Sequence, residues 1–71
     1  MLDPRDYDLS RDDWEHLIDQ HIFSERDRAM VKRKLLDSIT YEALAEEYEL
    51  SVQRTKSIIG EAKTRLFRYL N

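Results

Sequence analysis

The stretch SVQRTKS, residues 51–57, gathers the side chains of this chain best suited to recognition by hydrogen bonding. Gln53 carries an amide that donates and accepts, Arg54 a planar fork of donors, and Lys56 a compact charge on a flexible stem. Ser57 adds a hydroxyl. These groups match flat, multiply hydrogen-bonding edges: glutamine pairs bidentately with adenine, and arginine or lysine with guanine. Thr55 breaks the polar run and belongs on the inner side of a helix. The chemistry on offer is reversible recognition.

Bond-making chemistry finds no comparable support. His16 and His21 stand five residues apart, about 140° around a helix, which is the wrong spacing to hold one metal ion together. Asp12, Asp13 and Glu15 resemble paired carboxylates but fit better as acids in the first turn of a helix, near its positive end. There is no Gly-rich phosphate loop and no nucleophile motif. The absence of cysteine excludes thiolate metal sites and disulfides. The expectation is a non-enzyme without metal or cofactor.

Charge is distributed unevenly along the 71 residues, whose formal net value is −3. Residues 1–50 hold 14 acids against 7 bases, whereas residues 51–71 hold five bases (Arg54, Lys56, Lys63, Arg65 and Arg68) against Glu61 alone. A partner that touches one face senses this local field more than the total. No run approaches a membrane span and no signal-peptide pattern opens the chain, so no membrane contact is expected, and the lack of cysteine points to a reducing cytoplasm.

The elements that must position these groups are helices. One glycine and one proline leave few breakers, and the chain is near the lower size limit for one self-sufficient domain. Residues 1–9, with Pro4 and alternating acids, are predicted to form a flexible tail ahead of a single domain over 10–71. Ser10 is placed to cap a helix over about 10–22, with Leu9 and Trp14 as a hydrophobic staple. Trp14, Leu17, Ile18, His21 and Ile22 form its stripe. Ser24 caps a second helix carrying Ala29, Met30, Val31, Leu35 and Leu36, which breaks at DSIT, residues 37–40. Thr40 caps a third, about 40–48, with Ile39 and Leu44 as staple and Tyr41, Leu44, Ala45 and Tyr48 inward. Ser51 caps a fourth, running to about residue 69, with Thr55, Ile58, Ile59, Ala62, Leu66 and Tyr69 or Leu70 inward. Glu42, Glu46 and Glu49 form an acidic stripe beside Glu47, solvated or facing basic groups of the second helix.

The third and fourth helices are separated by about three residues, with Leu50 buried in the joint and Ala45 small enough for close approach. This spacing predicts a helix-turn-helix over about 40–60, in an all-α, four-helix domain. Such a unit puts the start of its second helix in the major groove of duplex DNA, which assigns the charge reversal at Ser51 a purpose. Thr40 and Ser51, at helix starts, are candidate phosphate anchors through their amides. The competing expectation is a protein-interaction adaptor, favoured by the overall acidity and the acidic stripe; the long last helix also offers a homodimer face.

From residue 23 to 70 the sequence resembles region 4 of bacterial sigma-70-type sigma factors. The motifs that carry it are the opening SERD, then ITYEALAEEYELS, the Lys56–Ser57 pair, and a close of A-K-x-R-L type. The resemblance implies a helical domain whose last helix recognises a promoter element in double-stranded DNA, and docking on the RNA polymerase β-subunit flap through other helices. Carried over by position, Val52, Gln53, Arg54 and Ser57 match base-facing places; Thr40, Tyr41, Ser51 and Lys56 match backbone-facing ones. Lys63, further along the same helix, is expected to join the backbone contacts. The chain departs from the pattern at Glu49, where a small residue is usual, at Thr55, where Val or Ile is usual and a weaker seam between the helices is expected, and at Gly60 in mid-helix. Gly60 is expected to permit close packing or to bend the helix. No second domain for the −10 element accompanies the motif, so a truncated sigma-like regulator, one part of a split factor, or a protein that borrowed the module is expected.

Overall fold

Each helix starts where a short hydroxyl side chain can take up an otherwise unpaired amide. The computed structural model describes residues 9–70; the tail expected over 1–9 lies outside them but for Leu9, which is half-buried against the core. Four helices and no strand occur among the described residues: α1 (Arg11–His21), α2 (Glu25–Leu35), α3 (Tyr41–Glu47) and α4 (Val52–Leu70). Ser10 Oγ accepts from the Asp13 amide while Asp13 reciprocates to the Ser10 amide, a full capping box. Ser24, Thr40 and Ser51 accept from the amides of Asp27, Ala43 and Arg54 at 3.3, 3.1 and 3.0 Å. Such a cap contributes about 1 kcal/mol.

The core is one cluster drawn from all four helices, with α4 packed against each of the others. Ile18, Met30, Val31, Leu44, Ile59 and Leu66 are wholly buried. Thr55 is wholly buried too, and its hydroxyl donates to the Ser51 carbonyl at 2.9 Å. The polar atom at this seam is therefore satisfied within its own helix, which avoids the desolvation penalty of an unmade hydrogen bond.

The α3–α4 joint, residues 48–51, is a Schellman motif. Leu50 N–H donates to the Ala45 carbonyl at 2.9 Å, and Glu49 N–H to the Glu46 carbonyl at 3.3 Å. That pattern needs the residue between helix and exit in left-handed backbone, and Glu49 has φ 56°. Leu50 is half-buried rather than fully enclosed, as are Tyr41 and Tyr48. The break after α2 likewise puts one residue, Ser38, in left-handed backbone, with φ 59°.

Two expectations are corrected at α4. Of the two alternatives at the end of the helix, Leu70 is half-buried against the core whereas Tyr69 is 61% exposed, and Phe67, not expected inward, is buried. The cause is α1, which covers this side of the last turns: Trp14 meets the Phe67 ring edge-on at 6.1 Å, and Tyr69 lies outside against His21 at 4.1 Å. Of the two expectations for Gly60, close packing does not hold among the described residues, because a Cβ built there meets nothing within 4 Å.

Candidate nucleic-acid interface

The first turns of α4 present the recognition side chains to solvent. Ser51, Gln53, Arg54, Lys56 and Ser57 are exposed, and Val52 is half-buried at the rim. Gln53, Ser57 and Gly60 fall at i, i+4 and i+7, so one face of the rod carries them, opposite the buried Thr55, Ile59 and Leu66. Thr40 is exposed at the start of α3, with Tyr41 half-buried beside it. Lys63 is half-buried two turns beyond Lys56.

Tyr41 draws cations from two helices to this end of the molecule. Its ring centroid is 4.2 Å from Lys34 Nζ and 5.7 Å from Lys56 Nζ. Lys34 also donates to the Ile39 carbonyl at 2.8 Å, which ties the end of α2 to the residue before the Thr40 cap. Cation–π contacts at such sites contribute about 0.5–1 kcal/mol each. Lys34 was missed by the sequence reading: it adjoins Tyr41 only through the turn after α2, and no local signal marks it.

Salt bridges separate the cations into two groups. Arg11 reaches Asp37 at 2.8 Å, Lys32 reaches Asp19 at 2.8 Å, and Arg26 reaches Asp27 at 3.2 Å. Arg33 forks onto both Glu47 oxygens at 3.2 Å and also meets Asp37 at 3.3 Å. Arg28 donates to the Ile22 carbonyl. By contrast, no ion pair among the described residues involves Arg54, Lys56, Lys63, Arg65 or Arg68. Among the described residues, acids therefore pair with Arg11, Arg26, Lys32 and Arg33, Arg28 and Lys34 turn to backbone carbonyls, and the cations of α4 have no acid within ion-pair distance. The hydrogen bond from Arg11 to Asp37 holds that carboxyl below the ordinary carboxylate range, and the bond from Lys32 does the same for Asp19.

Glu47, beside the acidic stripe, meets α2 through Arg33, while Glu42, Glu46 and Glu49 are exposed and make no ion pair among the described residues. Among the described residues no helix is long and apolar enough to cross a membrane, and no group of three metal-ligating side chains converges. The chain matches no protein-family model, no curated protein and no solved structure.

Proposed function

We propose that this chain binds double-stranded DNA sequence-specifically in transcription control, with α3, the tight turn and α4 acting as a helix-turn-helix of the sigma region 4 kind. Val52, Gln53, Arg54 and Ser57 face base edges in the major groove; Thr40, Tyr41, Ser51, Lys56 and Lys63 hold the sugar–phosphate backbone. The observation that supports the reading is the set of α4 cations without an ion pair among the described residues, on an element whose starting turn also exposes Gln53 and Arg54. On α1 and α2, by contrast, Arg11, Arg26, Lys32 and Arg33 each meet an acid. The caps and the Schellman turn fix the angle at which α4 leaves α3, and so fix what the exposed face can approach.

The test is titration with duplex DNA at low and moderate salt, preceded by selection of a site from a random pool. Gln53→Ala is expected to cost about 1–3 kcal/mol on the selected site and to relax one base position, whereas Lys56→Gln weakens all sequences alike and lowers the salt slope by about 1. Unchanged sequence preference in Gln53→Ala removes the base-reading assignment.

A second reading rests on Phe23 and Tyr69, which are 77% and 61% exposed. Exposed aromatics of this kind anchor protein interfaces. In that case the domain is an adaptor for a partner protein, with the polymerase β flap implied by the sigma resemblance, or a homodimer. No duplex binding at either salt favours this alternative.

A further inference from the structure

The reading above leaves two cations at the far end of α4 without a task. Arg65 and Arg68 follow Arg54 at i+11 and i+14, close to whole numbers of helical turns, so the three guanidinium groups share one side of the rod. All three are exposed and without an ion pair among the described residues. Arg65 and Arg68 border, with Glu61 and Thr64, a depression of about 280 Å³. Glu61 is the only acid of α4, so this end of the helix keeps a positive balance.

Length decides what these groups can meet. From Arg54 to Arg68 the helix rises about 21 Å, at about 1.5 Å per residue. The major groove is about 12 Å wide. A helix that addresses base edges with its first turns, laid across the groove, overshoots it. Its last turns then emerge above the phosphates of the far wall. We propose that Arg65 and Arg68 grip the backbone of the DNA strand opposite the one held by Lys56 and the helix caps, so that α4 straddles the groove and clamps both strands. The inference rests on the reading of α4 as DNA-facing.

The experiment uses the full chain, a duplex carrying the selected site and a random duplex, each titrated between about 50 and 200 mM salt. The variants are Arg65→Gln, Arg68→Gln and the double substitution, with helicity checked by circular dichroism. Loss of two phosphate contacts lowers the salt slope by about 1.8, so the wild type loses about tenfold more affinity across that salt range than the double variant does. The ranking of DNA sequences stays as in the wild type. Methylphosphonate links placed in one strand at a time complete the test: neutral links on the far strand weaken the wild type and leave the double variant indifferent. A double variant with wild-type slope and affinity overturns the clamp while leaving the DNA reading standing, and assigns the two arginines to a protein partner instead. A wild type that binds no duplex even at low salt brings down both, which distinguishes the two failures.

Discussion

Replacing Glu49 by glycine is expected to stabilise the domain, and the reason is backbone geometry. Glu49 occupies the left-handed position of the Schellman turn at φ 56°. There an L-residue's Cβ crowds the following carbonyl, at a cost of about 1–2 kcal/mol. Glycine removes that strain but also loses more freedom on folding, by about 0.5–1 kcal/mol. The net gain is about 0.5–1 kcal/mol. For a domain of this size 1 kcal/mol corresponds to about 4–8 °C in Tm, so a rise of several degrees is expected in thermal melts, with a matching shift in the urea midpoint. The side chain is exposed and takes no part in any ion pair among the described residues, so no contact is lost. Glu49→Ala separates sterics from charge, because it removes the carboxylate beside Glu46 and keeps the Cβ. It is expected to leave Tm within a degree or two of the wild type. Equal stabilisation by alanine and glycine refutes the backbone argument and assigns the gain to relief of acid–acid repulsion.

Gly60→Ala is expected to add about 1 kcal/mol, since the helix loses its most flexible interior residue and the new methyl enters open space; a lower Tm overturns this. Acid should weaken the link from α1 and α2 to the turn after α2. The depressed pKa of Asp37 means its contribution is complete above the unfolded value of about 4 and is lost as pH falls through the lower folded value. Asp37→Asn should therefore differ from the wild type at about pH 6 and converge with it at about pH 2. A gap that persists in acid refutes that role, and added salt should shrink it at pH 6 because the pairs are partly exposed.

Much of the frame was legible because its signals are local. Ser10, Ser24, Thr40 and Ser51 each act on an amide three residues ahead, a relation that needs no knowledge of the rest of the molecule. Leu44, Ala45, Ile58, Ile59, Ala62 and Leu66 are buried as their helical spacing requires. The exposure of Tyr69 and burial of Phe67 were not legible in that way. Which flank of the last turns of α4 is covered depends on the path of α1, and Trp14 is 53 positions away from Phe67 along the chain. The candidate site divides similarly. Exposure of Gln53 and Arg54 follows from their place opposite Thr55 and Ile59, and the arginine spacing along α4 was present in the letters. Contact between acids of α3 and bases of α2 was one of two readings of the acidic stripe; which pair forms, Arg33 with Glu47, and the reach of Arg11 to Asp37 depend on turns whose geometry only the folded chain defines.

The split between paired and unpaired cations also gives the molecule an orientation. Residues 51–71 carry five bases against one acid and residues 1–50 carry 14 acids against 7 bases, so charge is uneven on a body about 31 Å long. At physiological salt a field decays over about 8 Å, well short of that length. Against any polyanion, long-range pull is therefore slight and the net charge of −3 repels weakly. On the proposed reading, the uneven charge therefore acts only at close range, where it favours turning the α4 side toward DNA.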